Sequence, residues 1–219
     1  MTAVRQARTI PQMRYPPGFT RWLAILSLML VAPAAAGETL VVFGDSLSAA
    51  YGIAERRGWV ALLGERLRQE RLDYSVVNAS ISGEITSGGR SRLSKLLAQH
   101  KPAVLILELG ANDGLRGLPV GEMKKNLAAM IALAQDSGAR VLLVGVHMPP
   151  NYGEDYTRAF ADAFAELAKR QRVALAPDLT AGIGERLDLF QPDRIHPNEA
   201  AQPALLENVW KALRPLLTR

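Results

Sequence analysis

With 219 residues, 48% of them hydrophobic and 21% charged, the chain has the composition of a folded domain and not of a disordered segment. The formal charge of +5 suggests nucleic-acid binding, but four of the basic residues lie within residues 1–36, which contain no acidic residue. Subtracting these four from 26 Lys and Arg leaves 22 against 21 Asp and Glu, so we predict no nucleic-acid partner. The absence of cysteine excludes disulfides and a cysteine nucleophile.

The N-terminal segment has the pattern of a secretory signal peptide. A basic stretch ending at Arg21 precedes an apolar run over residues 22–31, and Pro33 and the alanines at 34–36 follow. We therefore predict a signal peptide over residues 1–36, a folded domain over residues 37–219, and a periplasmic or secreted protein. A membrane anchor is the weaker alternative, because the apolar run is shorter than the roughly 20 residues that span a bilayer. The sequence leaves open whether translation starts at Met1 or Met13.

After residue 37, short runs rich in Val, Leu and Ile alternate with longer amphipathic segments. Runs that lack polar alternation are typical of strands buried on both faces. The predicted strands are residues 39–43, 74–79, 103–109, 140–146 and 173–176. The predicted helices are residues 58–71, 86–100, 120–137, 156–172 and 198–217. This alternation predicts βαβ units, and therefore a parallel sheet with helices on both faces.

Glycine and small polar residues follow each of the first three predicted strands. Residues 44–46 read Gly-Asp-Ser, Gly83 lies in the loop after the second strand, and residues 110–113 read Gly-Ala-Asn-Asp. A further segment, Asp-Arg-Ile-His-Pro at 193–197, precedes the last predicted helix. Because sites in parallel sheets form outside the carboxyl ends of the strands, we expect these segments to meet.

Acyl transfer explains this set of residues. Ser46, expected at the tip of the first strand and at the start of a helix, is a candidate nucleophile that needs an adjacent base. His196 is the candidate base, and Asp193 is near enough in sequence to fix its tautomer. The alternative for Ser46 is a helix N-cap. His147 is a competing base, but no acid stands in a matching local position, so we expect a pocket or loop role for it.

A tetrahedral intermediate also needs hydrogen-bond donors for its negative oxygen. The candidates are the backbone N–H groups of Ser46 and Gly83 and the side-chain amide of Asn112. Gly83 and Asn112 could each be ordinary turn residues instead. Asp45 and Asp113 are expected to brace the loops beside them and not to react.

Together these segments resemble the four sequence blocks of the SGNH (GDSL) hydrolases. The likeness extends over residues 43–48, 77–83, 108–117 and 149–153, and within the superfamily it is similar to the periplasmic thioesterase I/lysophospholipase and arylesterase group. The resemblance implies Ser46, Asp193 and His196 as the catalytic triad, and Ser46, Gly83 and Asn112 as the oxyanion hole. It also implies an α/β fold, a three-layer flavodoxin-like sandwich whose five-stranded parallel sheet has the order 2-1-3-4-5. One departure is Ala111, where the family usually has a second glycine.

The function expected from this resemblance is that of a serine esterase similar to arylesterases or lysophospholipases. It would hydrolyse carboxylic esters through an acyl-enzyme, and acyl thioesters are further expected substrates. The alternatives are an O-deacetylase for cell-envelope carbohydrate and a non-enzymatic flavodoxin-like binding module. The partners expected are a small acyl ester or lipid and a transient membrane surface; the oligomeric state stays open. We expect no metal and no organic cofactor. Candidate substrate-binding residues, for which ordinary packing is an equal alternative, are Leu115, Leu118, Met148 and Tyr152.

Overall fold

The computed structural model describes residues 37–217, and within them five strands form one parallel sheet. The order of the strands across the sheet is β2-β1-β3-β4-β5, which confirms the fold class expected from the sequence. The strands are β1 (Glu38–Gly44), β2 (Tyr74–Asn78), β3 (Val104–Glu108), β4 (Arg140–Val144) and β5 (Ala174–Ala176). The predicted signal peptide lies outside the described residues and stays a prediction.

The described part of the chain contains six α-helices, and the five longer ones pack on the sheet. They are α1 (Trp59–Gln69), α2 (Thr86–His100), α3 (Ala111–Leu115), α4 (Val120–Asp136), α5 (Glu154–Gln171) and α6 (Gln202–Leu213). Helices α1 and α6 pack together, whereas α4 packs between α2 and α5. The result is a three-layer sandwich. None of the helices within residues 37–217 is long and apolar enough to cross a membrane.

The core lies where the hydrophobic pattern predicts it. Strand β3 is buried along its whole length, since helices cover both of its faces. The predicted stripe of α4 is buried except for the half-buried Val120, and the buried members are Met123, Leu127, Met130, Ile131 and Ala134. Strand β2 is only half-buried because it lies at an edge of the sheet.

Three elements differ from the sequence prediction, two of them helices and the third the turn after Ser46. The helix predicted over residues 198–217 divides into α6 and two flanking 3-10 turns, Glu199–Ala201 and Arg214–Leu216. Pro215 lacks an N–H and cannot extend the α-helical ladder, so the chain tightens there. Helix α3 was not predicted, since five residues are too few for a 3.6-residue period to be recognised.

The helix expected to start at Ser46 is not formed, and a turn occupies residues 46–52 instead. Ala49 N donates to Asp45 O at 2.9 Å, and Tyr51 N donates to Ser46 O at 3.2 Å. Ala50 has φ 58°, in the left-handed region, which ends the coil before an α-helix can develop. The alternative of Ser46 as a helix N-cap is therefore wrong.

Strand register brings the loops of interest to one edge of the sheet. Gly44 at the end of β1 is level with Glu108 at the end of β3, and Val42 is level with Asn78 at the end of β2. The loops after these three strands consequently start side by side.

Candidate active site

Ser46, His196 and Asp193 form a continuous line of hydrogen bonds above the end of β1. Ser46 Oγ lies 2.9 Å from His196 Nε2, although 150 residues separate the two in sequence. On the other side of the ring, His196 Nδ1 lies 2.7 Å from Asp193 Oδ2. The serine is half-buried and the histidine side chain is 19% exposed, so the hydroxyl and imidazole remain reachable from solvent. The arrangement can move a proton from Ser46 to an imidazole that a carboxylate orients.

The loop that carries His196 is folded around the carboxylate of Asp193. Asp193 Oδ1 accepts from the backbone N–H groups of Ile195 at 2.9 Å and His196 at 3.0 Å. Burial by itself would raise the pKa of Asp193, but the hydrogen bonds from His196 and Ile195 outweigh it and lower the pKa to about 2. The carboxylate is therefore ionised at neutral pH and favours the proton on His196 Nδ1.

The Tyr51 ring packs against the imidazole of His196, a contact that the sequence does not predict. The Tyr51 and His196 rings have centroids 4.5 Å apart and are tilted by 39°. Gln191 ties the two loops together, because its Nε2 donates to Tyr51 O at 2.7 Å and its backbone N donates to His196 O at 2.8 Å. Nothing in the spacing of Tyr51 signals this contact, because the turn at residues 46–52 has no regular period.

Asn112 lies in the first turn of α3, and its Nδ2 donates to Asp45 Oδ2 at 3.0 Å. The left-handed residue of this loop is Gly110, with φ 125°, so the alternative of Asn112 as a left-handed turn residue is wrong. Ala111 is a buried helical residue, and the methyl group that departs from the family pattern needs no special backbone conformation there. Asp113 accepts from the backbone N and the hydroxyl of Thr86, which fastens α3 to the start of α2.

Gly83 lies in the loop after β2 with φ 78°, a conformation that favours glycine. Its carbonyl accepts from Arg116 Nη2 at 2.9 Å. The same loop is fastened to the end of β1, since Ile81 N donates to Gly44 O at 3.0 Å and Gly44 N donates to Ser80 Oγ at 3.1 Å. The loops that carry Gly83 and Ser46 are therefore joined by one main-chain hydrogen bond and one to the Ser80 hydroxyl.

Two buried carboxyl groups lie beneath Ser46. Glu108 Oε2 accepts from Ser48 Oγ at 2.7 Å and from Asp45 N at 3.3 Å. Burial raises the pKa of Asp45 to about 6, although hydrogen bonds from Leu47 N and Asn112 oppose the rise. Burial, and then the charge of Asp45, raise the pKa of Glu108 well above its ordinary value. Asp45 is a brace, as the sequence predicts, whereas Glu108 was missed because it ends an apolar strand.

A cavity of about 770 Å³ opens beside Ser46 and His196. Leu115 and Met148, two of the candidate substrate-binding residues, line it. Leu118 and Tyr152 are not among its lining residues; Tyr152 supports the wall from behind, because its hydroxyl donates to Leu115 O at 2.9 Å.

His147 also lines this cavity, and Asp178 Oδ2 lies 3.1 Å from its Nδ1. His147 therefore lies in the pocket, as the sequence predicts. It also has a carboxylate neighbour, which the sequence does not predict because the two residues are far apart along the chain. Among residues 37–217 there is no group of His, Asp and Glu side chains arranged to hold a metal ion.

Comparison with known proteins defines the class to which this fold and site belong. The chain belongs to the GDSL-like lipase/acylhydrolase family, whose model matches residues 42–203. The esterase TesA of Pseudomonas aeruginosa is 50% identical over 192 residues, which are 88% of this chain and 96% of that protein. The thioesterase 1/protease 1/lysophospholipase L1 of Escherichia coli K12 is 39% identical over 199 residues, 90% of this chain and 94% of that protein.

Among solved structures, a crystal structure of TesA is 51% identical, with a TM-score of 0.81, and covers 82% of this chain and 100% of the other. The resemblance stated from the sequence is therefore confirmed. The chain is an SGNH-type carboxylic ester hydrolase, and the alternative of a non-enzymatic binding module is set aside.

Proposed function

We propose that this protein is a serine esterase that hydrolyses carboxylic esters through an acyl-enzyme. In this mechanism Ser46 is the nucleophile, His196 is the base, and Asp193 is the carboxylate that orients the base. The observation that carries the proposal is the pair of short contacts on the two nitrogens of one imidazole, 2.9 Å to Ser46 Oγ and 2.7 Å to Asp193 Oδ2. A carboxylate on Nδ1 leaves the Nε2 lone pair facing the hydroxyl, which is the tautomer that a general base requires.

Acylation begins as Ser46 Oγ attacks the ester carbonyl carbon and gives its proton to His196 Nε2. The imidazolium that forms is stabilised by ionised Asp193. Collapse of the tetrahedral intermediate breaks the bond to the alcohol oxygen, which takes the proton from His196 and leaves. Water then attacks the acyl-enzyme, gives a proton to His196, and the acid departs as Ser46 regains its hydrogen.

The proposed oxyanion donors are the backbone N–H groups of Ser46 and Gly83 and the amide of Asn112. Neither backbone N–H has a hydrogen-bond acceptor within the described part of the chain, so both are available to a substrate oxygen. One N–H of the Asn112 amide is engaged by Asp45, which leaves the second for the oxyanion. Donors fixed before the reaction need no reorganisation as charge develops.

The cavity favours an acyl ester over an acetylated sugar. Its volume of about 770 Å³ far exceeds what an acetyl group fills, and Leu115, Met148 and Phe190 supply apolar wall. A series of p-nitrophenyl esters with acyl chains of increasing length, run beside an acetylated sugar, tests this choice. A rise in kcat/KM from acetyl to butyryl and longer chains supports the esterase, whereas a preference for the acetylated sugar would favour the deacetylase. Lysophospholipids and acyl thioesters extend the same series.

The proposed nucleophile is tested by Ser46→Ala on p-nitrophenyl butyrate, with Ser91→Ala as the matched control. Ser91 is an exposed residue of α2 whose hydroxyl donates to Gly88 O within the same helix, so its loss leaves the site intact. We expect kcat to fall by about 10⁴-fold or more in Ser46→Ala and to stay unchanged in the control. Retention of full activity by Ser46→Ala overturns the mechanism. A second test is labelling of the Ser46 peptide by a phosphonate inhibitor, read by mass spectrometry.

The predictions of export and of membrane contact belong to this proposal. Export is tested by the N-terminal sequence of the protein from the periplasmic fraction, which we expect to begin at Gly37.

Membrane contact is supported by large apolar side chains exposed around the site: Tyr51 against His196, Ile195 in the cavity wall, and Leu187 beside Arg186 of that wall. Co-sedimentation with phospholipid vesicles, which we expect to weaken in Leu187→Ser, tests the contact.

A further inference from the structure

A second pair of histidine and carboxylate lies in the wall of the cavity, apart from the Ser46–His196–Asp193 line. His147 follows β4 and Asp178 follows β5, and His147 Nδ1 lies 3.1 Å from Asp178 Oδ2. The Asp178 side chain is 17% exposed and that of His147 is 61% exposed, so the carboxylate is much more buried than the ring. Both residues line the same cavity as Ser46. The mechanism proposed above does not use this pair.

The Asp178 carboxylate is fixed before any substrate arrives. Its Oδ1 accepts from Thr180 N and from Thr180 Oγ1, each at 2.9 Å, which leaves Oδ2 for His147. The two loops are also joined by their main chains, because Gly145 N donates to Ala176 O at 2.8 Å and Leu179 N donates to Gly145 O at 2.9 Å. The position of His147 is thus set by both strand ends.

This environment determines what the imidazole can offer. The negative carboxylate of Asp178 lies 3.1 Å from Nδ1 and would repel a lone pair on that atom, so it favours the tautomer of His147 with its proton on Nδ1. The Nε2 atom then carries a lone pair, and it has no partner among the described residues. His147 is therefore a hydrogen-bond acceptor in a cavity whose wall combines apolar side chains, among them Leu115, Met148 and Phe190, with the charged side chains of Glu185, Arg186 and Arg194.

We propose that His147, oriented by Asp178, is a substrate-specificity residue that accepts a hydrogen bond from a hydroxyl group of the ester. The enzyme then favours esters whose acyl or alcohol part carries a hydroxyl over unsubstituted esters of the same length. His147 does not act as a second base, because the Ser46 hydroxyl is already engaged by His196. The inference rests on the proposed esterase function and adds to it the class of substrate.

The experiment measures selectivity, as the ratio of kcat/KM for a hydroxylated ester to that for its plain counterpart. The acyl side is tested with p-nitrophenyl β-hydroxybutyrate against p-nitrophenyl butyrate, and the alcohol side with glycerol monobutyrate against propyl butyrate. We expect His147→Phe to lower one of the two ratios by about two- to tenfold, which is the worth of one hydrogen bond, and the arm that changes identifies the side. His147→Gln keeps a polar end and should retain part of the ratio.

Two controls make the outcome specific. His100→Phe alters a histidine at the end of α2, outside the cavity lining, and should leave both ratios unchanged. Asp178→Asn places an amide beside Nδ1, which favours the opposite tautomer; we expect selectivity for the hydroxyl over a methoxy group of the same position to shrink. An unchanged hydroxyl-to-plain ratio in His147→Phe, or an unchanged hydroxyl-to-methoxy ratio in Asp178→Asn, overturns the inference. Failure of the esterase mechanism looks different, since Ser46→Ala would then still hydrolyse plain butyrate esters.

Discussion

The side-chain amide of Asn112 donates to Asp45 Oδ2 at 3.0 Å, which ties the loop after β3 to the residue directly before Ser46. Asp45 cannot turn away, because its Oδ1 accepts from Leu47 N at 3.0 Å and the residue is fully buried. One N–H of Asn112 is thereby committed, and the direction of the other is fixed by the planar amide. The buried carboxylate thus positions a proposed oxyanion donor without touching the substrate.

Removal of the Asn112 amide is the direct test of that donor. We expect Asn112→Ala to lower kcat on p-nitrophenyl butyrate by about 10²–10³-fold, the usual cost of one oxyanion donor. KM should change little, because the donor acts mainly on the charge that develops in the transition state. Circular dichroism and thermal unfolding report whether the fold is retained. A folded variant whose kcat falls by less than about threefold would remove Asn112 from the oxyanion hole.

Asp45→Asn should separate stability from activity. Asp45 has a pKa of about 6 in the folded protein against an ordinary 3.8, so folding favours its protonated form. Its stabilising contribution is complete below about pH 4 and is lost as the pH rises through 6, which costs about 3 kcal/mol by pH 7. The neutral asparagine escapes this loss. The amide of the new asparagine also places an N–H donor opposite the N–H donor of Asn112 Nδ2. Because this removes the hydrogen bond that positions Asn112, we expect kcat to fall about tenfold or more.

The measurement for Asp45→Asn is thermal unfolding of variant and wild type from pH 4 to pH 8. The difference in Tm, variant minus wild type, should become more positive between about pH 4 and about pH 6 and level off above that. A difference that is flat over this range would show that the Asp45 carboxyl has the same pKa in the folded and unfolded states.

Glu108 should tolerate conversion to its neutral isostere. Burial and the nearby Asp45 raise its pKa well above the ordinary value, which favours the uncharged form. In Glu108→Gln the amide oxygen can still accept from Ser48 Oγ and Asp45 N, so we expect a loss of stability below about 1 kcal/mol and near-normal kcat. Glu108→Ala, by contrast, leaves a cavity and two unsatisfied donors, at about 2 kcal/mol or more. Equal losses in the two variants would mean that an ionised carboxylate is needed.

The sequence predicted the parts of the fold and site that depend on local pattern. Buried runs predicted the five strands, and Asp193 and His196 could be paired because three residues separate them. Contacts between distant loops could not be predicted from the sequence. Asp178 lies 31 residues from His147, so no local pattern pairs them. Glu108 was not recognised as a site residue because it ends an apolar strand. The turn after Ser46 was predicted as a helix because Ala50 adopts the left-handed conformation, and alanine is not a residue that predicts this conformation from the sequence.

Gly83 and Gly138 allow backbone strain to be distinguished from loss of an oxyanion donor. Both have positive φ, 78° and 89°. A Cβ on Gly83 would meet only Arg116 Nη2 at 3.9 Å, and one on Gly138 would meet nothing within 4 Å. Alanine therefore fits sterically at both positions but is conformationally strained, and each substitution should cost about 1–2 kcal/mol of stability. Gly138 follows the end of α4, on the chain leading into β4, far along the sheet from the carboxyl ends of the strands.

The two variants should consequently lose stability alike and differ in catalysis. Relief of the strain in Gly83→Ala turns the peptide plane that presents the Gly83 N–H, so we expect kcat to fall about tenfold or more with little change in KM. Gly138→Ala should keep the wild-type kcat. The check is steady-state kinetics with p-nitrophenyl butyrate beside thermal unfolding of both proteins. Equal kcat values in the two variants, at equal loss of Tm, would remove the Gly83 N–H from the oxyanion hole and leave Ser46 N and Asn112 as the donors.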